Sequence, residues 1–471
     1  MTVQGDAFDV VIIGGGVLGC AVAARLSSTT ASVVLLEAEA DVAEHASKGN
    51  AGVAVSYYGA PGLQQTDLIN ASNPLWEELT ERLDVPFRRI GGLMIALTSD
   101  EEDHLPATLD EIRACGVQAD LFTAAQALDR EPLINAHVRA AVSMPAEGII
   151  DPMRLTVAYA NLAAANGVQV RLSERVVAME YDGEFTRIVT DRGSVRARFV
   201  VNAAGVAAGA ISALASGEPL TCFPRKGQYI LLDRSFGSQL SSIVFSTHTP
   251  TTKGSNVVPT THGSVLLGPT AQDITDADDR STDAETLDSI LEKAARLVPA
   301  TKDADRIKVF AANRPAGDEA HRLRMDRVVP NLLHVTDRSA GVSISPAAAD
   351  LALQLLWQSG LDAADDPAAT VRLPTLRRLR TDPHPETLTD VDPLYGQVVC
   401  ACEHVSAAEI QAALSGPVPA TSIDGIRKRT GAAYGRCQGS LCMAGLSFLT
   451  AMATHTGPSD VHQTARGTVG S

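Results

Sequence analysis

The sequence predicts a mixed α/β chain, α+β overall, and three observations carry that reading. An apolar strand runs into a glycine-rich loop and an alanine-rich helix at the start, in FDVVIIGGGVLGCAVAARLS. The strand-then-small-residue scheme returns in VVNAAG and in NLLHVTDRSAGVSISPAAAD. Four of the seven cysteines crowd into VVCACEHV and GRCQGSLC near the end of the chain. The 471 residues give room for two or three domains with buried cores.

Residues 9–13 form a continuous apolar run, as a parallel strand buried on both faces requires. Gly14, Gly16 and Gly19 follow in G-x-G-x-x-G spacing. The first permits a tight turn, the second lets backbone approach a pyrophosphate, and the third lets the helix pack on the strand. The helix N-terminus then offers N–H groups to an anion. The next strand, SVVLLE, ends at Glu37, where an acid can hold a ribose hydroxyl. Strand, loop, helix, strand and acid in this order predict a Rossmann-like dinucleotide site. FAD and NAD both carry ADP, so the motif alone does not separate them.

Loops further along the chain bear on that choice. Ser47, Lys48, Gly49, Asn50 and Gly52 make a polar, glycine-rich loop that could run along a second phosphate or a flavin ring. Residues 168–201 read as short β segments with turns at YDGE and DRGS. They end at Asn202-Ala-Ala-Gly205, where Ala204 and Gly205 let the backbone close over a cofactor. Ser339, Gly341, Val342 and Ser343 precede an alanine-rich helix, whose N-terminus would stabilise negative charge on a reduced flavin. In EGIIDPMRL, Asp151 reads as a helix cap with Pro152 at the first position.

Lys plus Arg is 39 and Asp plus Glu is 55, a formal net charge of −16. That balance argues against a nucleic-acid binder, which needs a basic face. The first residues lack a basic leader region, and no apolar run spans a bilayer. A cytoplasmic protein without membrane insertion is therefore expected, with its thiols reduced. Paired cysteines there point to metal or catalysis more than to disulfides.

Residues 361–393 hold five prolines and dense charge and read as a linker or strap, or as a tail packed on the preceding domain. Beyond them the cysteines read C-x-C (Cys400, Cys402), 34 intervening residues, then C-x4-C (Cys437, Cys442). SAAEIQAAL and SIDGIRKRT look like short helices between the pairs, the first capped by Ser406 and Glu409. Four thiolates can hold zinc or a [2Fe–2S] cluster, or form a redox disulfide; C-x-C fits the usual zinc spacing poorly. The remaining cysteines, Cys20, Cys115 and Cys222, read as small core residues.

The segments IIGGGVLG, SKGNAGV, EGIIDPMRLTVAYA, VVNAAG, PRKGQYILLD, THGSVLLGPTAQDI, NRPAG and the SAG stretch resemble FAD-dependent oxidoreductases of the D-amino-acid oxidase type. Within that type they resemble anaerobic A-subunit glycerol-3-phosphate dehydrogenases and L-2-hydroxyglutarate dehydrogenases. The resemblance implies bound FAD and an FAD-binding domain built from about 1–80, 145–215 and 325–360 of residues 1–360. A strand-rich substrate domain, about 81–144 and 216–324, would be interleaved with it. Val176 joins the implied cofactor residues. Arg314, in NRPAG, is implied to grip a substrate carboxylate or phosphate, which a planar guanidinium does in bidentate fashion. His262 would be a general base, Arg225 and Lys226 further anion contacts, and Tyr57, Tyr58 and Lys253 weaker candidates. Relatives carry a histidine where Val55 stands, a departure that concerns the substrate and leaves the flavin reading intact.

Roughly residues 396–450 resemble the bacterioferritin-associated ferredoxin-like domain, which implies a [2Fe–2S] cluster on Cys400, Cys402, Cys437 and Cys442 in a domain spanning 394–455; residues 456–471 would be a flexible tail. Together these imply a dehydrogenase that moves a hydride from a small anionic hydroxy or amino compound to flavin. The cluster would relay electrons to an acceptor protein or sister subunit. The alternatives are an oxygen-using amine or amino-acid oxidase, and a non-catalytic electron-transfer subunit.

Overall fold

The structure is a computed structural model, and it describes residues 6–247, 255–317 and 322–464. Lys253 and the tail beyond residue 464 lie outside these.

The opening strand, Asp6–Ile13, lies between Val33–Leu36 and Ser194–Asn202, parallel to both. Gln169–Arg171 and Leu332–Thr336 extend the parallel sheet on either side. Its side chains alternate between two cores. Val10 and Ile12 pack with the helices, whereas Phe8, Val11 and Ile13 face Ile188, Val195 and Ile211. Two covered faces explain the unbroken apolar run. Helices Val17–Leu26, Pro152–Ala165 and Gly341–Gln358 share the first core through Ala21, Leu155 and Ala348.

A second sheet of nine strands draws its members from two stretches, 92–144 and 223–316. Its longest pair is Phe223–Leu232 against Arg306–Ala316, antiparallel, with Arg225 opposite Arg314, Gly227 opposite Ala312 and Tyr229 opposite Phe310. Helix Ala284–Leu297 covers the sheet with Ile290, Ala294 and Leu297.

The C-terminal unit is a short hairpin, Val398–Cys400 and Val405–Ser406, followed by helices Ala407–Ser415, Ile423–Thr430 and Met443–Thr454. Ile410, Ile426 and Leu446 form its own core. The Ser406–Glu409 capping box forms as its spacing predicts. Residues 361–393 run as a pinned strap: Leu373 N–H donates to the Arg82 carbonyl, and Arg378 pairs with Asp84 at 2.6 Å. The tail begins against this unit, because the His462 and Gln463 carbonyls accept the Ile423 and Asp424 amides. Among the described residues, no helix is long and apolar enough to cross a membrane.

Candidate active site and metal centre

The nucleotide cleft forms where the opening strand turns. Gly14 has φ +111°, and a Cβ there would sit 2.6 Å from the Ala203 carbonyl oxygen. A Cβ on Gly19 would overlap the Gly14 carbonyl, so only glycine lets helix and strand meet. Gly16 precedes the helix, and Ser47 Oγ accepts the Val17 amide at 2.9 Å. Glu37 Oε2 accepts the Gly15 amide at 2.6 Å and Oε1 accepts that of Glu39 at 2.8 Å. Burial raises the pKa of this carboxyl above the usual range. The Glu174 amide donates to the Glu37 carbonyl, bringing the strand of Val176 to the same end.

A second helix N-terminus arrives from far along the chain. A Cβ on Gly341 would lie within 3.8 Å of Val17 and Leu18. Asp337 Oδ2 holds the Ser339 and Ala340 amides at 2.9 and 2.5 Å. Val342 is buried beside it, and Ser343 Oγ accepts the Val55 amide at 3.0 Å. Val55 itself packs against the main core. Asn50 Oδ1 accepts the Gly52 amide at 2.8 Å, shaping the loop, and Gly52 takes φ +73°. Ala204 and Gly205 end the strand opposite Pro315. Two helix N-termini supply donors for phosphate, a glycine cradle leaves room, and a buried carboxylate can accept a ribose hydroxyl. This donor set fits FAD.

On the second sheet, Arg314 reaches only the Thr270 carbonyl, at 3.4 Å from each Nη, and has no carboxylate partner among the described residues. A Cβ on Gly227 would come within 3.0 Å of Arg314 Nη1, so the glycine makes room for the guanidinium. Tyr229, which sequence reasoning missed, stacks on Phe310 with centroids 4.9 Å apart and lies close enough to feel the charge of Arg314. The other cations expected here are spoken for. Arg225 pairs with Asp273, and Lys226 with Asp279 at 2.8 Å. Tyr57 donates to Glu111, and Tyr58 is exposed. Beside Val55, Glu147 accepts the Ser56 amide and hydroxyl, and burial pushes its carboxyl to about 7.

His262 lies elsewhere. Its Nε2 is 2.8 Å from Asp151 Oδ2, and its ring is 5.7 Å from that of Tyr434 in the C-terminal unit. Asp151 caps helix Pro152–Ala165 as expected, accepting from Met153 and Arg154, and holds His262 as well. Both border a cavity of about 250 Å³ that Arg314 does not line. The structure therefore does not bring His262 and Arg314 together.

The four C-terminal cysteines converge in pairs, Cys402 beside Cys437 and Cys400 beside Cys442. The Leu441 amide aimed at Cys437 holds its thiol below the usual range, and the Ala433 amide points at Cys400 Sγ from 3.5 Å. Burial pushes the Cys442 thiol up to about 12. Gly435 packs so close to Cys402 that a Cβ would overlap it. Backbone donors converging on paired sulfurs suit thiolate ligation of a [2Fe–2S] cluster.

A buried ionic lock joins this unit to residues 41–48, which lead into the glycine-rich loop expected to run along the flavin. Arg429 grips Asp41 with two hydrogen bonds of 2.7 and 2.9 Å. Lys428, fully buried, reaches Asp41 at 2.9 Å, the Val42 carbonyl at 2.7 Å, and Glu44. Lys48, expected to follow the cofactor, directs its amine to Asp424 and to Glu44 at 3.2 Å. Burial alone would raise the Asp41 carboxyl, but Arg429 and Lys428 outweigh it and bring it to about 2. Its stabilisation is therefore complete above an unfolded value near 4 and is lost as pH falls through about 2. A Lys428→Met variant removes the cation shared by Asp41 and Glu44 and leaves them to Arg429 and Lys48 alone, which costs about 1.5–3 kcal/mol. A lowered urea midpoint for the C-terminal unit is expected, and an unchanged midpoint would contradict the lock.

Residues 9–355 match the DAO family of FAD-dependent oxidoreductases. The chain belongs to that family. Residues 398–447 match the BFD-like [2Fe–2S] binding domain. The chain is thus a DAO-family, FAD-dependent oxidoreductase that carries a [2Fe–2S] domain. It is 32% identical to a glycerol 3-phosphate dehydrogenase of Caloramator mitchellensis, over 92% of each chain. It is 26% identical to a subunit of the anaerobic glycerol-3-phosphate dehydrogenase of Escherichia coli K12, covering 92% of this chain and 86% of that one. Its fold matches the FAD-bound L-α-glycerophosphate oxidase of Mycoplasma pneumoniae with a TM-score of 0.73 at 25% identity, over 79% of this chain and all of that one.

Proposed function

We propose that this DAO-family chain dehydrogenates a small anionic hydroxy compound, with glycerol 3-phosphate the first candidate, and sends the electrons through a cluster on Cys400, Cys402, Cys437 and Cys442 to a partner protein. The observation that carries the reading is one chain holding both an Arg314 guanidinium without a carboxylate partner among the described residues and a four-cysteine unit locked onto residues 41–48, which lead into the glycine-rich loop. FAD, when bound, accepts a hydride, and a [2Fe–2S] cluster carries single electrons.

Arg314 binds and orients the substrate anion, with Gly227 leaving its fork room to move. Tyr229 and Phe310 wall that side with stacked rings. His262, engaged by Asp151 beside Tyr434, fits domain docking better than a substrate proton. The relatives named for glycerol 3-phosphate support a phosphate-bearing substrate. Anaerobic addition of glycerol 3-phosphate is expected to bleach the flavin absorbance of the purified protein. No bleaching at saturating substrate would remove this substrate from the reading.

A partner is supported by the surface beside the cysteines. Leu441, Phe448 and Met452 are 76, 56 and 61% exposed, and they fall on one face of helix Met443–Thr454 and the residue before Cys442. Apolar side chains clustered in water mark an interaction site. A Leu441→Lys, Phe448→Lys double variant is expected to keep substrate-driven bleaching and cluster content, while electron delivery to the partner falls. Unchanged delivery would separate this face from the partner.

A further inference from the structure

We propose a second ligand site, for a small phosphate- or carboxylate-bearing anion, in the cavity between the flavin loop and the four-cysteine unit. The proposal rests on the flavin reading of residues 47–52. The cavity holds about 250 Å³, and its lining includes Gly49 to Gly52, part of the strand Arg306–Ala316 and part of the segment from Asp424 to Arg436, beside Asp151 and His262. Leu231, Leu266, Ile150 and Phe310 supply apolar walls.

Three polar groups within it are incompletely paired. Lys308 lines the cavity, is half-buried, and has no hydrogen-bond or ion-pair partner among the described residues. Arg427 pairs its Nη1 with Asp424 at 3.7 Å and lies 4.7 Å over the Tyr434 ring, but its buried Nε has no partner among the described residues. Asn313 Oδ1 is also buried without a partner. Buried polar groups in this state are costly unless something pairs with them, and of the three the Lys308 amine and the Arg427 Nε are donors. Lys308 and Arg427 keep donors to spare for an anion, whereas the carboxylates that also line the cavity are already paired, Glu44 and Asp424 with Lys48, Asp151 with His262, Asp233 with Arg436 and Glu403 with Arg380.

The site is distinct from the one assigned to the substrate. Lys308 and Arg314 share a face of one strand, six residues apart, or roughly 20 Å at about 3.3 Å per residue. Between them Ala312 packs directly on Gly49. The flavin loop thus separates an anion anchor on the substrate side from a second one on the cysteine side. Burial, followed by the charge of Arg427, holds the Lys308 amine down to about 8, with Lys48 adding to the effect and Asp424 opposing it. Anion affinity should therefore fall as pH rises through about 8.

The test is calorimetric titration of the FAD-loaded, cluster-loaded protein with phenyl phosphate and with phenylacetate, using benzyl alcohol as the neutral control. Binding of at least one anion is expected, weakened about tenfold or more in Lys308→Met, restored in Lys308→Arg, and unaffected in Arg314→Met. The anion that binds names the headgroup. Binding lost in Arg314→Met but kept in Lys308→Met would assign the anion to the substrate site and overturn the proposal. So would equal binding of benzyl alcohol, no binding of either anion, or binding that FAD loading abolishes. Loss of flavin from the purified protein would instead strike the reading on which the proposal rests.

Discussion

Replacing Cys437 by serine is expected to remove the cluster and leave the flavin half of the protein working. Of the four proposed ligands Cys437 has the thiolate best prepared, because the Leu441 and Gly439 amides point at its sulfur and hold its pKa down. A serine hydroxyl there stays protonated at neutral pH and is a poor match for iron. The C-terminal unit has its own apolar core in Ile410, Ile426 and Leu446 and is held by Asp41 and Glu44, so the loss should stay local. Iron and sulfide are expected to fall from about two each per chain to near background. FAD content and substrate-driven bleaching should persist, while turnover with a protein acceptor drops by roughly 100-fold. Full turnover with an empty cluster site would mean that electrons leave the flavin by another route.

Arg314→Met is expected to produce the other large effect, on the opposite side of the flavin loop. Among the described residues the guanidinium makes only two long contacts, both to the Thr270 carbonyl, so removing it strands no buried carboxylate there and should not unfold the sheet. What it removes is a charge-assisted, bidentate grip on the substrate anion, worth about 2–4 kcal/mol. On the order of 100-fold should be lost from kcat/KM, with KM rising most and with FAD and cluster content intact. Lys at this position should restore only part of the loss, since a point charge lacks the planar fork. An Arg314→Met variant with unchanged kcat/KM would move the anchor elsewhere, and the pairings of Arg225 and Lys226 with aspartates leave neither ready to replace it.

The parts of this arrangement that were legible in the sequence are those whose chemistry is local. Gly14, Gly16 and Gly19 answer to steric limits within one turn, and Glu37 stands at the end of the next strand. The Asp151 and Ser406 caps, and the paired cysteines, likewise act within a few residues of their positions. What could not be read is the lock between Asp41, Glu44 and Lys48 and the helix Ile423–Thr430. Its partners lie nearly four hundred residues apart, as Lys428 and Asp41 show at 2.9 Å. IRKRT has the composition of a solvated helix face, yet Lys428 is fully buried. His262 carries the same lesson. A histidine next to a strand suggests a base, but the choice between substrate and docking depends on where Asp151 and Tyr434 stand, and no spacing encodes that. Lys308 gave no signal at all, because nothing in KVFAANRP says which cation lacks a partner.

The central claim is that substrate electrons reach the cysteine-bound cluster within this one chain. Its most direct test is anaerobic mixing of the FAD- and cluster-loaded protein with glycerol 3-phosphate, followed at once by flavin absorbance and by electron paramagnetic resonance of the frozen sample. The expected result is flavin bleaching together with the signal of a reduced [2Fe–2S] cluster, and no such signal in the Cys437→Ser variant. Bleached flavin beside a cluster that stays oxidised, with hydrogen peroxide formed at the turnover rate once oxygen is admitted, would contradict the relay and make the protein an oxidase.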